Sequence, residues 1–297
     1  MTSVPPPSYQ HPGAPPTRPE LPEGVERAPE RHERRLDPPT RVPVWVPIAA
    51  MLASFLGGTV AFAVLAVASG TESVDNTPEG VTLGATLVQD VLLVVFALLA
   101  VKAYEGQVRP DWLGLRRVPF WPAVGACAVM IAGWWIFQLL VVAIFGEPEQ
   151  QDLVEELKSE RSELVLVSFG LLVCVLAPIC EEIFFRGLMF RVFADRMGLI
   201  AGAALSGAIF GLVHLTSGPL TTGLVLFALG FGFALLRWWT GSLLPSMGLH
   251  ALNNALSFGV TLTFEWWIVL LVVAGSTALV LALGVRMTNS TWGRLNA

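Results

Sequence analysis

Charged side chains are scarce in this sequence of 297 residues. Asp, Glu, Lys and Arg make up 14% of it, about half of the share near 25% that is usual in soluble domains, while 54% of the residues are hydrophobic. This composition excludes an ordinary soluble domain and a disordered chain. The net charge of −5 argues against a nucleic-acid-binding protein. A polytopic membrane protein is the class that fits.

Cysteine and histidine are rare as well. The three cysteines, Cys127, Cys174 and Cys180, lie in apolar stretches without a CxxC pair, so the sequence favours neither a disulfide framework nor a thiolate zinc site. Two of the four histidines, His214 and His250, also lie in apolar surroundings. An ionisable side chain within a membrane span is costly, which makes each of these histidines a candidate functional residue.

The first 42 residues differ in composition from the rest of the chain. They contain 11 of the 21 prolines, six arginines and six acidic residues, without apolar periodicity. We predict a disordered tail here. The arginine-rich composition is typical of a GC-rich bacterium.

Eight hydrophobic runs follow this tail. Each is close to the length of about 20 apolar residues that crosses a bilayer. The runs are 44–69, 81–103, 119–146, 164–189, 198–216, 219–239, 241–260 and 265–285. They predict an all-α polytopic membrane protein, a bundle of about eight transmembrane helices. The polar segment 147–163 has Leu153 and Leu157 four residues apart, which favours a short surface helix.

Lysine and arginine are distributed unevenly between the ends of these runs. If all eight runs cross, 16 of the 18 cationic residues fall on one side. By the positive-inside rule that side is the cytoplasm. We therefore expect a multi-pass protein of the bacterial inner membrane with both termini in the cytoplasm. No internal repeat is evident, which weighs against a repeat-built carrier.

The fourth run carries an acidic pair, Glu181 and Glu182, followed by Arg186. Residues four apart share a helix face, so Glu182 and Arg186 can pair, while Glu181 points about 100° away. One carboxylate is then held by arginine and the other faces a cavity, where it suits general acid or base chemistry. The alternative is that both carboxylates are solvated at the cytoplasmic end.

The fifth and seventh runs each carry a polar pair at helical spacing. Phe210 and His214 are four residues apart, as are His250 and Asn254. Imidazole and amide N–H groups on one face can stabilise an oxyanion, although each pair alone also fits interhelical packing. Asp90 in the second run is a further polar residue. It could support the catalytic residues from behind, line the cavity, or be buried with its hydrogen bonds satisfied.

In order along the chain, these motifs resemble those of the CPBP family of intramembrane endopeptidases. That family includes the type II CAAX prenyl proteases and bacterial ABI self-immunity proteins. The matching residues are Glu181, Glu182, Arg186, Phe210, His214, His250 and Asn254. The resemblance covers roughly residues 164–258, which we assign as a CPBP-type catalytic core. The flanking segments are the tail 1–42, membrane helices and a polar connection in 43–163, and a last helix with a short cytoplasmic tail in 259–297.

The resemblance implies a hydrolase with defined residue roles. Glu181 would activate a water with help from His214, and His250 and Asn254 would form the oxyanion hole. Glu182, Arg186 and Phe210 would support them. This mechanism needs no cofactor, but Glu181, His214 and His250 also form a two-histidine, one-carboxylate set that could bind Zn²⁺.

The expected partners are the lipid bilayer and a peptide substrate. The substrate would be a membrane-associated or lipidated peptide, with or without a CAAX-like sequence, that enters the site from the cytoplasmic side. No nucleic acid is expected, and the sequence does not define the oligomeric state. Two other functions fit the same composition. One is a non-enzymatic self-immunity or scaffold protein that binds a partner through the cavity. The other is a proton-coupled carrier, for which broken helices and repeated halves would be expected.

Overall fold

The computed structural model describes residues 39–71, 77–146, 162–216 and 220–289. These residues belong to one compact unit, Leu36–Ala297. They are predominantly helical and contain no strand. The all-α prediction is therefore confirmed. The surface helix predicted in 147–163 and most of the predicted tail lie outside the described residues.

Nine helices are present in the described residues, numbered here in chain order. They are α1 (Trp45–Ala68), α2 (Glu79–Glu105), α3 (Pro110–Leu113), α4 (Phe120–Phe145), α5 (Glu163–Met197), α6 (Leu199–Val213), α7 (Leu220–Thr240), α8 (Leu244–Thr261) and α9 (Trp266–Asn289). A 3₁₀ turn, His214–Thr216, follows α6. The eight predicted hydrophobic runs correspond to the helices other than α3.

Six of these helices are long and apolar enough to cross a membrane: α1, α2, α4, α5, α7 and α9. The polytopic architecture is thus confirmed, but two of the eight runs differ from the prediction. Helix α6 has 15 residues, about 22 Å of helix, which is less than the hydrocarbon thickness of about 30 Å. Helix α8 has 18 residues, and its histidine and two asparagines lower its mean hydropathy.

The outer helices present apolar side chains outward. On α4, Trp121 is 77% exposed and Ile144 72% exposed. Such continuous exposed apolar faces are absent from soluble proteins and fit contact with lipid tails. These faces belong in a bilayer.

The core lies around the second half of α5. Every residue from Glu182 to Phe193 on this helix is buried, and the apolar side chains other than Phe190 form one cluster with side chains of α1, α2, α6 and α8. A helix that is buried all round sits at the centre of its bundle. The predicted acidic pair therefore lies at the centre of the described unit.

Close packing joins α5, α6 and α7 into antiparallel hairpins. A Cβ atom added at Gly202 would contact the backbone of Ala194, and one added at Gly207 would lie 2.8 Å from the backbone nitrogen of Phe231. Helices approach this closely only where the contacting residue is small. The small-residue stripe of the fifth run thus serves packing.

The charged end of α5 is fixed by α3 and the loop that follows it. Arg191 donates a hydrogen bond to the Trp112 carbonyl (2.6 Å) and its guanidinium stacks 4.2 Å from that indole ring. The same loop accepts a backbone hydrogen bond at Gly114 from Leu243 (2.8 Å). These contacts hold the start of α8 beside α5.

The last residues assigned to the tail are part of this assembly. The Thr40 backbone N–H donates to the Asp195 carboxylate (3.0 Å), and its hydroxyl donates to Glu105 (2.8 Å). The Arg41 backbone N–H also donates to Glu105 (2.8 Å). Residues 39–42 are thus ordered against α2 and α5, so the ordered unit begins before the predicted boundary.

Candidate active site

Helix α5 departs from regular α-helical geometry on both sides of its acidic pair. Residues Leu172–Leu176 and Glu182–Met189 form π-helical turns, and a short α-helical segment, Ala177–Glu181, separates them. A π-turn replaces i→i+4 hydrogen bonds with i→i+5 bonds, and such turns are frequent at functional sites. Its side chains are displaced from the positions that α-helical spacing gives.

Glu182 and Arg186 form the buried ion pair that their spacing predicts. Their side chains are 2.8 Å apart, with exposures of 0% and 1%. Arg186 also donates to the Gly230 carbonyl of α7 (3.3 Å). A fully buried charge needs a partner of opposite sign and further hydrogen bonds, and Arg186 obtains both.

His250 of α8 lies between the two carboxylates of α5. Its Nδ1 is 3.2 Å from the nearer oxygen of Glu182, and its Nε2 is 3.8 Å from Oε2 of Glu181. Adjacent residues on a helix point about 100° apart, and the imidazole occupies the space between these two directions. The two nitrogens of one ring therefore face two different carboxylates, an arrangement that the sequence did not predict.

The Phe210 ring connects the two histidines to Arg186. It is 4.7 Å from the His214 ring and 6.0 Å from the His250 ring, measured between centroids. The Arg186 guanidinium lies 4.4 Å from the Phe210 centroid and 5.0 Å from that of Phe233. The apolar rings exclude water from the ion pair and stabilise the guanidinium through cation–π contacts.

His214 is brought to the level of the acidic pair by the register of the α5–α6 hairpin. Ser206 donates to the Phe185 carbonyl (3.3 Å), and one turn later the Phe210 ring contacts the Phe185 ring at 5.1 Å. Because the helices run antiparallel, this register predicts that His214, at the start of the 3₁₀ turn that follows α6, lies near the level of Glu181. Straight membrane-crossing helices would have separated these residues by about 10 Å in depth. The short α6, which begins directly after α5 ends, removes that difference.

The His214 ring is oriented by its own helix. Its Nδ1 lies 2.7 Å from the Phe210 carbonyl oxygen. A carbonyl only accepts hydrogen bonds, so Nδ1 carries the proton in this contact and Nε2 carries the lone pair of the neutral ring. That tautomer suits proton abstraction.

Asn254 of α8 contacts the first π-turn of α5. Its side-chain amide donates to the Val173 carbonyl (3.0 Å), and its oxygen accepts a hydrogen bond from the Asn253 side chain (3.3 Å). One N–H of the amide is used in this contact, and the second is left for another acceptor. Asn253 thus orients Asn254, a role that its position 100° away did not suggest.

The remaining contacts of the site come from residues that carry no motif. Backbone carbonyls of Val173 and Gly230 accept the hydrogen bonds described above, and the Phe233 ring packs against His250 with centroids 5.3 Å apart. Sequence reasoning missed these residues because every residue has a backbone carbonyl, and because a phenylalanine in an apolar helix gives no signal.

A metal centre is the other site that these polar side chains could form. Among the side chains that the structure describes, no group of three or more His, Cys, Asp and Glu residues is arranged to hold a metal ion. The alternative zinc ligands Glu181, His214 and His250 are not assembled as such a set. Arg186 adds a positive charge beside Glu182, which disfavours a divalent cation there.

Comparison with known proteins adds an independent result. Residues 163–256, about a third of the chain, match the family model described as Type II CAAX prenyl endopeptidase Rce1-like. One curated relative is an uncharacterized protein of Mycoplasma capricolum subsp. capricolum, 24% identical over 160 residues, which cover 50% of this chain and 47% of the relative. The chain thus spans about half the length of that relative. No solved structure matches this chain.

Proposed function

We propose that this protein is an intramembrane endopeptidase, because residues 163–256 match the model of the type II CAAX prenyl endopeptidase family. The observation that carries the proposal is the position of His250, whose two ring nitrogens face Glu181 and Glu182. Three motifs from three helices meet around that ring. A packing role alone does not account for two carboxylates, one guanidinium and two imidazoles within a membrane protein.

The proposed reaction starts with a water bound at Glu181. Glu181 takes a proton from the water, and the lone pair on Nε2 of His214 assists. The hydroxide attacks the carbonyl carbon of the scissile peptide bond and forms a tetrahedral oxyanion. When the C–N bond breaks, Glu181 passes the proton to the leaving nitrogen, so acid and base roles alternate on one carboxylate.

His250 and Asn254 are the proposed oxyanion donors. Because Nδ1 of His250 faces the ionised Glu182, the ring donates to an oxyanion from Nε2 only as an imidazolium. The Glu182 carboxylate stabilises that charge. Asn254 donates its second N–H while the first stays on the Val173 carbonyl. Donors held in advance by such contacts stabilise the developing charge without reorganisation.

Glu182, Arg186 and Phe210 are proposed to position these groups rather than to react. The proposed mechanism uses no metal ion. The proposed substrate is a membrane-associated or lipidated peptide, with or without a CAAX-like sequence, that enters from the cytoplasmic side. The lipid-facing helices supply the bilayer environment, and the proposed location is a bacterial inner membrane.

The proposal predicts that Glu181→Ala and His214→Ala each abolish cleavage. We expect peptides that appear in membranes of cells producing the wild type to be missing with either variant. The measurement is a quantitative comparison of membrane proteomes, with Glu265→Ala as the control because Glu265 is exposed. Both variants should retain the wild-type elution profile in detergent, since neither residue belongs to the apolar core.

Cleavage that survives Glu181→Ala would contradict the mechanism. A protein that cleaves nothing but still protects its host from a bacteriocin would instead be a self-immunity or scaffold protein. Metal analysis of the purified active protein distinguishes the zinc alternative: stoichiometric zinc that is lost together with activity would overturn the metal-free mechanism.

A further inference from the structure

Asp90 is a buried carboxyl group that the proposed mechanism does not use. It lies in the middle of α2, 3% exposed, and its Oδ2 has no hydrogen-bond partner among the described residues. Its carboxyl group interacts electrostatically with Glu181 and Cys180. Buried polar groups in proteins are almost always hydrogen-bonded, so a carboxyl oxygen without a partner within a membrane span requires an explanation.

The packing of α2 against α5 sets the position of this carboxyl group. Leu93, about one turn after Asp90, belongs to the same core cluster as Ile179 and Ile183. These two residues flank Glu181 on α5. Helix α2 packs directly against the part of α5 that contains Glu181, and the Asp90 and Glu181 carboxyls are near enough to interact electrostatically. Oε2 of Glu181 also lacks a hydrogen-bond partner among the described residues.

The charges around this level do not balance if every carboxyl group is ionised. The groups that face one another are the carboxyls of Asp90, Glu181 and Glu182, the guanidinium of Arg186 and the imidazole of His250. Even with His250 as an imidazolium, three carboxylates leave one uncompensated negative charge. His214 contacts this group through the Phe210 ring, and Cys180 is a neutral thiol in the count.

One of the three carboxyl groups must therefore be protonated. The cations that lie near each carboxyl group indicate which one it is. Glu182 is ionised because it pairs with Arg186 at 2.8 Å. Glu181 is next to His250, whose Nε2 lies 3.8 Å away. Asp90 has neither cation, so its charged form is the most costly of the three to bury.

We propose that Asp90 is a positioning residue of the peptidase site, which keeps this proton and donates it in a hydrogen bond to the Glu181 carboxylate. The inference rests on the proposed function. The proton stays on Asp90 throughout, while Glu181 takes a different proton from the attacking water. Asp90 thereby fixes the orientation of the base and makes the whole group electrically neutral.

The kinetic test compares Asp90→Asn with Asp90→Ala, using a peptide that the wild type cleaves. Asn keeps a donor toward Glu181, so kcat stays within about threefold, whereas Ala removes a hydrogen bond to a charged group and lowers kcat by about ten- to hundredfold. KM stays the same in both, because Asp90 does not touch the substrate. Gln89→Ala is the control, since Gln89 packs against Gly58 of α1.

The pH dependence of kcat separates a shared proton from a structural role. The loss of activity on the alkaline side should differ between the two proteins, because the Asp90 carboxyl of the wild type can give up its proton and the amide of Asp90→Asn cannot. Equal alkaline limbs in the two proteins would overturn the proposal. So would Asp90→Ala with wild-type kcat.

Infrared spectroscopy tests the proton without any substrate. The wild type at neutral pH should show a protonated-carboxyl C=O band that Asp90→Asn lacks and Gln89→Ala keeps. A wild type without this band would refute the role of Asp90 even where cleavage is normal. Conversely, a wild type that has the band but cleaves no peptide would count against the proposed function alone.

Discussion

Arg186 is the residue on which the charge balance of the site depends. It pairs with Glu182, donates to a carbonyl of α7 and is surrounded by phenylalanine rings. Its Nε has no hydrogen-bond partner among the described residues, so even this well-held guanidinium is not fully satisfied. The cost of burying the pair is met only while both members are present.

Removing one member of this pair should therefore harm the protein more than removing both. We expect Arg186→Met to reduce the free energy of unfolding by about 3–5 kcal/mol, because Glu182 is left as an uncompensated buried charge. The double variant Glu182→Leu with Arg186→Met should recover most of this stability. Thermal unfolding in detergent measures both.

The double variant also has an expected effect on activity. The double variant should remain inactive, since His250 loses the carboxylate that holds its Nδ1. A double variant as unstable as Arg186→Met would show that the pair contributes through packing rather than charge.

At the scale of single residues, the sequence predicted the pairs that lie four apart. The Glu182–Arg186 ion pair and the stacking of Phe210 on His214 follow from helical spacing and are present in the structure. Contacts between helices were not predictable in this way. That His250 faces both glutamates depends on how α8 packs against α5, and no local pattern encodes that packing.

At the scale of elements, the short helix α6 and its two antiparallel neighbours determine where His214 lies. Hydropathy alone predicts a membrane-crossing helix for 198–216, because alanine, leucine and isoleucine fill the run. Hydropathy does not show that α5 extends well past the acidic pair. Because of this extension, α6 begins level with the end of α5. The π-turns of α5 were equally invisible, since π- and α-helical residues have the same hydropathy pattern.

The α6–α7 contact gives a test of this arrangement. A Cβ atom at Gly211 would lie 2.9 Å from the Phe227 backbone nitrogen and closer still to the Gly223 carbonyl oxygen. Gly211→Ala should therefore push the helices apart and reduce the free energy of unfolding by about 1–3 kcal/mol. Activity should fall as well, because His214 follows three residues later.

Gly125→Ala on α4 is the matched control, since a Cβ atom there meets nothing within 4 Å. It should raise stability by up to about 1 kcal/mol, as alanine favours a helix over glycine. Thermal unfolding of the two variants decides the matter: an equal response would mean that the α6–α7 contact does not constrain the site.

At the scale of the whole molecule, the proposed orientation rests on the distribution of cationic residues. The count of 16 on one side assumes eight crossings, whereas six helices are long and apolar enough to cross. Both counts are even, so each puts the two termini on the same side. The positive-inside rule assigns that side to the cytoplasm.

Reporter fusions test this topology directly. A fluorescent protein fused after Ala297 should be bright, and alkaline phosphatase fused there should be inactive, because the phosphatase folds only outside the cytoplasm. Phosphatase inserted after Gly70, beyond α1, should be active. An active phosphatase at the C-terminus would reverse the proposed orientation and place substrate entry on the other side.

The ion pair within α5 also has a consequence for how the protein enters the membrane. Helices are inserted as they leave the ribosome, and α5 precedes α8 in the chain. Because Glu182 and Arg186 lie on the same helix, that segment carries its own counter-ion during insertion and does not have to wait for His250. The proposed partner of Glu181 is Asp90, whose helix α2 is already in place. The buried charges of Glu182 and Arg186 therefore have each other as partners as soon as α5 is made.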